Sequence, residues 1–340
     1  MTIKRNIIFS YDYELFFGEK SGTVQKSIIE PTNLLMDVME EKGFRGNFFV
    51  DYLMFRELEK LSGEQVQRDL QMLKDQIRDM VRRGHRIELH LHPHWIDAKY
   101  NGDGTWNFDN YSHYSLSSLD EETIVDMFKT GTTYLTILAR EVDPDYRIVA
   151  FRAGGWAVQP FDKLKRAFLE SGIIIDSSTS FGLYKYMKDS YYDFRSMPDK
   201  AVYRFEDDVC KEVADGRFIE VPITSRHLPI MFFVYDAICR KIDRKRKPLS
   251  DGTHYRKNPH EEKKSFSTKL LEKMDNSYKT MLNFSFLSSA SRSYFYWTLK
   301  NDTICFIDHP KDVCMRSISG IEFLPKDFKS INYMDILQNN

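Results

Sequence analysis

The sequence predicts an α/β protein built on a parallel sheet or a (β/α) barrel, and three observations lead to that fold class. Short apolar runs alternate with longer amphipathic stretches along most of the 340 residues. Prolines and glycines mark the ends of the amphipathic stretches. The polar residues best suited to chemistry follow directly after apolar runs, and a β/α barrel builds its active site at the carboxyl ends of its strands.

The predicted helices have recognisable start and stop residues. Pro31 lies in the first turn of the first helix, and Gly43 follows its end. Ser62 and Gln65 form a capping box for the next helix, which Gly84 closes. Helices are predicted over residues 31–42, 62–83, 119–140, 161–170 and 266–299. Strands, most of them separated by helices, are predicted over residues 4–11, 44–50, 86–90, 146–151, 173–175, 217–223 and 303–307.

Composition narrows the function classes. The chain is 42% hydrophobic, which allows a large core, and its 49 basic and 50 acidic side chains give a net charge of −1. That balance excludes a globally basic nucleic-acid binder, so no nucleic-acid partner is expected. We predict one domain over residues 1–340, with a basic, partly helical surface insertion at about residues 226–300.

The cysteines and the first residues predict a cytoplasmic protein. The four cysteines form no C-x-x-C pair, and a chain of this length needs no disulfide, so a reducing compartment is expected. The apolar run Ile7-Ile8-Phe9 is too short for the core of a signal peptide. No run of about 18 apolar residues is present, so no membrane-spanning segment is expected.

The first and third predicted strands end in groups that bind metals. Asp12 and Glu14 are two residues apart, so both carboxylates face the same side of an extended segment, although a solvated pair would have the same spacing. His90, His92 and His94 alternate after the third strand, and this spacing lets imidazoles converge on one ion. A lone histidine would more often be structural, and His92 is a ligand, a support for a ligand or a packing residue.

Three later strands also end in polar residues. Arg152 precedes Gly154 and Gly155, which permit a close backbone approach, while Asp176 and His309 follow the strands after it. Taken alone, each has an ordinary explanation: a glycine-rich turn, a helix or turn cap, or a structural histidine. Five strands that each deliver a polar group at the same end together predict an active site with a metal.

These segments resemble the polysaccharide deacetylase family, the NodB-homology domain of carbohydrate esterase family 4. The resemblance runs from about Arg5 to Pro310 and rests on five short motifs in order. Glu14 stands one residue further from Asp12 than in the commonest form of the first motif, and Ala153 stands where proline is common in the third. The motifs are Asp12-Tyr13-Glu14, Gly84-His85 with His90 to His94, Arg152-Ala153-Gly154-Gly155-Trp156, Ile175-Asp176-Ser177-Ser178 and His309-Pro310.

The resemblance implies a distorted NodB-like (β/α) barrel of about seven strands that removes an N- or O-acetyl group from a sugar or polysaccharide intermediate, with N-acetyl the first choice. It implies one divalent metal ion held by Glu14, His90 and His94, with zinc the first choice and cobalt, nickel or iron as alternatives. It implies that Asp12 is the base and that Arg152 holds it in place. It implies that His309 is the acid, oriented by Asp176 or else by Asp308. The residues implied to line the pocket are Trp156, Trp95 and His92.

Two other functions compete with the deacetylase. A metal-dependent amidase or ureide hydrolase acting on a small molecule would use similar ligands, with His90 and His92 as the histidine pair. A barrel that binds carbohydrate without catalysis is the second. Because every expected catalytic role has a candidate residue, an enzyme is the stronger hypothesis.

The predicted insertion contains a basic stretch. Residues 240–264 hold ten Lys and Arg against four Asp and Glu, a local charge of +6. The stretch from Arg240 to Lys247 follows the apolar run 230–235, and a solvated helix and loop would explain it. The sharper hypothesis is peripheral contact with an anionic membrane or glycan, which would place the enzyme at the inner membrane face.

Overall fold

The computed structural model describes residues 5–110, 112–187, 190–254 and 279–339. Its main sheet has nine strands, in the order β10-β11-β7-β6-β3-β2-β1-β14, with β15 also paired to β1. Its neighbouring strands are parallel except for β10 and β11, which confirms the predicted fold class. These nine strands are β1 (Arg5–Tyr13), β2 (Gly46–Asp51), β3 (Arg86–Leu91), β6 (Ala150–Ala153), β7 (Ile175–Asp176), β10 (Tyr203–Phe205), β11 (Phe218–Glu220), β14 (Thr303–Asp308) and β15 (Phe328–Ser330).

Among the described residues, three two-stranded sheets lie outside the main sheet. They pair β4 with β5, β8 with β9, and β12 with β13. Their strands are β4 (Lys99–Tyr100), β5 (Trp106–Asn107), β8 (Tyr184–Met187), β9 (Ser190–Asp193), β12 (Ser225–Arg226) and β13 (Thr280–Met281).

The described helices alternate along the chain with strands of the main sheet. They are Gln25–Ile29 (a π-helix), Glu30–Glu41, Tyr52–Glu59, Glu64–Arg82, Glu121–Arg140, Asp162–Ser171, Ile230–Ile242, Ser289–Thr298, Met315–Glu322 and Tyr333–Asn339. Short 3-10 turns occupy Pro93–Asp97, Leu116–Ser118, Gly154–Trp156, Arg244–Arg246 and Pro310–Asp312. Within these ranges, no helix combines the length and the apolar character needed to span a bilayer.

Two expectations about helices are wrong. The helix expected over residues 62–83 begins at Glu64, and its N-cap is Gly63, so Ser62 and Gln65 form no capping box. Gly63 has a φ of 127°, a conformation that favours glycine over a side chain able to cap. Of the helix expected over residues 266–299, the part over 266–278 lies outside the described residues, and a helix begins only at Ser289.

The sheet curls into a barrel that closes through a seam of single hydrogen bonds. The Thr224 amide donates to the Cys305 carbonyl on β14, and the Cys305 amide donates to Thr224 Oγ1, both at 2.9 Å. Leu282 joins the same seam, because its amide donates to the Thr224 carbonyl at 2.8 Å and its carbonyl accepts from the Ile307 amide at 3.1 Å. The barrel therefore closes without a regular strand pair, as expected for a distorted (β/α) barrel.

Because side chains alternate along β1, successive residues point either toward the helices or into the barrel. Ile7 and Phe9 pack in the large apolar layer between sheet and helices, whereas Ile8 belongs to a small cluster inside the barrel. Tyr333, from the helix Tyr333–Asn339, joins that inner cluster. Because successive side chains of a strand alternate, Ser10 and Asp12 follow Ile8 on the inner face toward the carboxyl end of β1.

Candidate active site

Arg152 lies at the centre of the barrel and organises the inner faces of three strands. It follows the apolar residue Phe151 on β6 and is completely buried. Its Nη1 donates to Asp12 Oδ1 at 2.6 Å, and its Nη2 donates to Ser10 Oγ at 2.8 Å and to Ser177 Oγ at 3.1 Å. Its Nε donates to the Ser177 carbonyl at 2.8 Å. A buried guanidinium with this many partners fixes the Asp12 carboxylate in position.

Asp12 is held ionised and faces His309. Burial alone would raise the pKa of the Asp12 carboxyl, but Arg152, His90 and His309 outweigh it, and the pKa is lowered. Asp12 Oδ2, the oxygen not held by Arg152 Nη1, lies 3.6 Å from His309 Nε2. One oxygen of this carboxylate is therefore anchored, and the other faces the histidine.

Glu14, His90 and His92 form a buried group that suits a metal ion. One ligand atom from each lies within 4.8 Å of the others. The Nε2 atoms of His90 and His92 lie 3.0 and 2.6 Å from the same oxygen, Glu14 Oε2. Two imidazoles and a carboxylate are a common donor set for zinc and for cobalt, nickel or iron, so the residues present fit a divalent cation.

Hydrogen bonds and charges orient this group. His90 Nδ1 lies 2.7 Å from the Arg152 carbonyl, which can only accept, so Nδ1 carries a proton and Nε2 faces Glu14. Burial would lower the pKa of His90, but Asp12 and Glu14 raise it to about 9. Burial would raise the pKa of Glu14, yet His92, Lys311 and the hydrogen bonds from both imidazoles hold it well below its usual range.

His94, expected as a metal ligand, is not one of the three residues of this group, although its ring lies about as near to the His92 ring as the His90 ring does. His90 and His92 stand two residues apart in an extended segment and so point to the same side. Pro93 begins the 3-10 turn Pro93–Asp97, which ends that alternation before His94. The His94 ring packs 3.9 Å from the Phe17 ring and 4.8 Å from the His92 ring, centroid to centroid. The ligand set itself stays a prediction.

Trp95, expected to line the pocket, is completely buried. Its indole Nε1 donates to Asp51 Oδ2 at 2.6 Å, and its ring packs against Trp106 and Phe108. A side chain with no exposed surface cannot contact a sugar without rearrangement. Trp95 therefore supports the site through its contact with Asp51. Trp156, in contrast, is only partly buried.

The carboxylate that faces His309 Nδ1 belongs to Asp312, not to Asp176 or Asp308 as expected. His309 Nδ1 lies 3.3 Å from Asp312 Oδ2, in the turn Pro310–Asp312. Asp308 accepts from the backbone amide of His309 and from Ser285 instead. Burial and Lys311 lower the pKa of His309, against the opposing effect of Asp12, Asp312 and Glu14.

Asp176 supports the site indirectly. Its carboxylate accepts from the Ser178 amide at 3.0 Å and from Ser178 Oγ at 2.7 Å. Ser178 Oγ in turn accepts from the amide of Ala153 at 2.8 Å. No contact with His309 is described for Asp176, and four strands separate β7 from β14 along the sheet. Asp176 thus anchors the backbone beside Arg152.

Sequence reasoning missed three residues of the site: Asp51, Lys311 and Asp312. Asp51 ends β2 and accepts from the backbone amide of His92 at 3.3 Å as well as from Trp95. The signal that singled out Asp12, a carboxylate after an apolar strand, was present for Asp51 too. Lys311 and Asp312 follow His309-Pro310 in a tight turn, where no periodicity indicates which way a side chain points.

Gly154 allows the chain after β6 to approach His92 closely. A Cβ atom at Gly154 would lie 2.6 Å from His92 Nδ1 and 2.7 Å from the Leu91 carbonyl oxygen. Such distances exclude a side chain unless the backbone shifts. The predicted glycine-rich turn therefore packs directly against His92.

No family model matches this chain, and no curated protein matches it. Its structural neighbours include polysaccharide deacetylases. One is a putative polysaccharide deacetylase from Mycobacterium smegmatis, at 14% identity and a TM-score of 0.48, over 100% of this chain and 91% of that one. The chain spans only 40% to 60% of six further matched structures.

Two of those other neighbours differ in their named activities. A 4-α-glucanotransferase from Thermococcus litoralis matches at 11% identity and a TM-score of 0.48, over 99% of this chain and 40% of that one. A family 4 acetyl xylan esterase from Clostridium thermocellum, in complex with a cobalt ion, matches at 12% identity and a TM-score of 0.29. That match covers 52% of this chain and 59% of the esterase.

Proposed function

We propose that the protein is a metal-dependent hydrolase that removes an acetyl group from a sugar or polysaccharide intermediate. The observation that supports this most directly is the position of Asp12. One of its oxygens is anchored by buried Arg152 at 2.6 Å, and the other faces His309 at 3.6 Å. Glu14, two residues further on, belongs to the group with His90 and His92. A base, an acid and a set of metal ligands thus meet at the carboxyl ends of the strands.

In this proposal Glu14, His90 and His92 hold one divalent cation, with zinc the first choice. The chemistry that such an ion supplies when bound is Lewis-acid activation of water and of an acyl carbonyl. Lys311 and the Arg152 carbonyl hold Glu14 and His90 from outside the group. The chain thereby fixes both the ligands and their orientation before substrate arrives.

Asp12 acts as the general base in the proposed reaction. Its free oxygen, Oδ2, accepts the proton of the attacking water, while Arg152 keeps the carboxylate ionised and prevents it from rotating. The lowered pKa of Asp12 is consistent with a group that is ionised at neutral pH and takes up a proton only during turnover.

His309 acts as the general acid. Its Nε2 faces Asp12 Oδ2, so the proton gained by the base can pass to the imidazole and then to the leaving nitrogen. Asp312 at Nδ1 stabilises the imidazolium that forms. An amine leaving group requires this proton, which favours N-acetyl over O-acetyl substrates. Trp156, partly exposed on the turn after β6, is the residue proposed to contact the sugar.

The proposal is tested by metal analysis together with acetate release from acetylated amino sugars and their lipid-linked or nucleotide-linked forms. Protein loaded with zinc or cobalt should release acetate, and Asp12→Asn should reduce kcat by at least about 100-fold while metal content stays unchanged. Asp126→Asn, a change on an exposed helix position, is the matched control. Metal binding without turnover on any acetylated sugar would instead indicate a barrel that only binds carbohydrate.

A second function is favoured by the histidine pair itself. The group contains His90 and His92, the pair expected for a metal-dependent amidase or ureide hydrolase on small molecules. Both functions use the same base and acid, but their products differ. Release of ammonia or of a ring-opened acid from small cyclic amides or ureides, with no acetate from acetylated sugars, would select this alternative.

A further inference from the structure

The helix Ile230–Ile242 presents an apolar stripe to solvent. Met231, Val234, Tyr235, Ile238 and Ile242 are 68%, 37%, 48%, 52% and 73% exposed. They follow the i, i+3, i+4, i+7 spacing that places side chains on one face of a helix. A surface helix normally turns such a stripe toward the core, and here the stripe points outward.

The opposite face already anchors the helix to the protein. Phe232 packs against Tyr294 with their ring centroids 4.8 Å apart. The buried Asp236 carboxylate accepts from the Ser288 amide at 3.0 Å and from Ser291 Oγ at 2.9 Å, at the start of the helix Ser289–Thr298. The exposed stripe is therefore not needed to hold the helix in place, and its orientation is fixed by contacts on the other side.

Basic residues follow the stripe at one end of the helix. Lys241, Arg244, Lys245 and Lys247 are all exposed. They lie within the last turn of the helix or in the five residues after it. Aromatic surface lies close by as well, because Trp297 is 81% exposed on the helix that packs against Ile230–Ile242.

We propose that this face, the stripe together with the four basic residues, docks on an anionic lipid bilayer. A helix with an outward apolar face and adjacent Lys and Arg binds in the interfacial plane of a membrane, its apolar side chains among the acyl chains and its cations near anionic head groups. Exposed tryptophan suits the same interface. A soluble anionic glycan would match the cations but would leave the aliphatic side chains in water.

The docking face is connected to the candidate active site by the segment that follows it. The Leu249 amide donates to the Val313 carbonyl at 2.9 Å, and Ser250 Oγ donates to the Lys311 carbonyl at 2.6 Å. His254 Nε2 lies 2.6 Å from Asp312 Oδ1. Docking would thus hold the turn that carries Lys311 and Asp312 at a fixed position relative to the lipid surface.

The test is vesicle flotation of the full chain with two kinds of vesicle. One contains phosphatidylcholine alone, and in the other about 30% of the lipid is phosphatidylglycerol. We expect binding to the anionic vesicles only. The double variant Ile238→Glu/Ile242→Glu should weaken that binding about tenfold or more, and so should the variant with Lys241, Arg244, Lys245 and Lys247 changed to Gln. Ile137→Glu is the matched control, because Ile137 is 60% exposed on a helix elsewhere and should have no effect.

Three results would overturn the proposal. The first is no binding to anionic vesicles, and the second is binding that both sets of changes leave intact. The third is a dimer in solution that Ile238→Glu/Ile242→Glu converts to a monomer without any vesicle binding, which would assign the stripe to a second copy of this chain. Circular dichroism and thermal unfolding of each variant exclude misfolding. The readout is binding, so the outcome does not depend on the reaction that the site performs.

Discussion

The Lys311 ammonium lies 2.7 Å from Glu14 Oε1, on the carboxylate oxygen that the two imidazoles do not contact. It also donates to the Leu15 carbonyl at 2.9 Å, and its side chain is almost completely buried. Glu14 therefore contacts Lys311 through one oxygen and the two candidate metal-binding imidazoles through the other. A lysine in this position both orients the carboxylate and repels any further cation.

Replacing Lys311 with Met should tighten the binding of zinc or cobalt. Two unit charges about 4 Å apart repel by about 4 kcal/mol at an effective dielectric constant of 20, and a divalent ion doubles this. A charged hydrogen bond contributes only about 1.5–3 kcal/mol, so repulsion is the larger effect. We expect affinity to rise about tenfold or more in a competition titration with a chromophoric chelator. Lys326→Met, on the exposed surface, is the control. Weaker metal binding in Lys311→Met would show that the orientation of Glu14 by Lys311 outweighs the charge repulsion.

Removing the Arg152 guanidinium should destabilise the whole barrel. Arg152→Met would leave the buried Asp12 carboxylate without its charged partner, and breaking a buried ion pair in this way costs about 3–5 kcal/mol. Urea denaturation of the metal-free protein measures the loss in the free energy of unfolding. Arg68→Met, at an exposed helix position, should change stability by less than about 0.5 kcal/mol. An equally small change in Arg152→Met would contradict the central role given to this residue.

A methyl group at Gly154 should disturb His92 specifically. The added Cβ would meet the His92 ring and the Leu91 carbonyl, and a backbone atom cannot move aside without shifting β3. We expect Gly154→Ala to lower stability by about 1–3 kcal/mol and to weaken metal binding. Gly46→Ala is the control, because its Cβ would meet the flexible Met39 side chain at 3.0 Å. Unchanged metal affinity in Gly154→Ala would indicate that His92 is not a ligand.

Loss of the Asp312 carboxylate should reduce turnover with little change in KM. In Asp312→Asn the imidazolium of His309 loses its partner at 3.3 Å, and because Asp312 raises the pKa of His309, that pKa should fall further. We expect kcat for acetate release to fall about 10- to 100-fold, and the pH profile to shift to lower pH. Asp302→Asn, at an exposed site, should keep the wild-type profile. A loss without a pH shift would indicate a structural role only.

His85 should make stability depend on pH. Burial lowers the pKa of its imidazole to about 4, so the folded protein holds it neutral, with Nδ1 accepting from the Gly46 amide at 2.9 Å. The unfolded chain takes up this proton near pH 6.5, so folding is penalised progressively as pH falls from about 6.5 toward 4. The expected loss is about 2 kcal/mol at pH 5. In His85→Gln this loss should disappear, which urea denaturation at pH 7 and pH 5 will show.

Local patterns predicted seven of the nine strands of the main sheet, all except β10 and β15, and most of the polar residues at their ends. Alternation along an extended chain is a property of the residues themselves, so Asp12 and Arg152 were identified from sequence, and the structure brings them within 2.6 Å. The same alternation places His90 and His92 on one side of the chain, because the extended segment continues until Pro93 begins a 3-10 turn. His94 was chosen from a family motif, which does not report where this particular chain turns.

Local sequence patterns did not predict contacts between residues far apart in the chain. The seam between Thr224 and Cys305 joins segments about eighty residues apart through single hydrogen bonds, which no periodicity encodes. The direction of the Lys311 and Asp312 side chains depends on how the turn Pro310–Asp312 packs against Glu14 and His309. The outward face of Ile230–Ile242 is likewise visible only when the anchor at Asp236 is known.

The pairing of β1 with β14 has a consequence for biosynthesis. His309, Lys311 and Asp312 follow Asp12 and Glu14 by nearly 300 residues along the chain, yet β1 and β14 are hydrogen-bonded neighbours. Until β14 emerges from the ribosome, one edge of β1 lacks its partner, and Glu14 has neither Lys311 nor His309 beside it. The nascent chain therefore completes its candidate catalytic centre only after β14 and the turn that follows it have been synthesised.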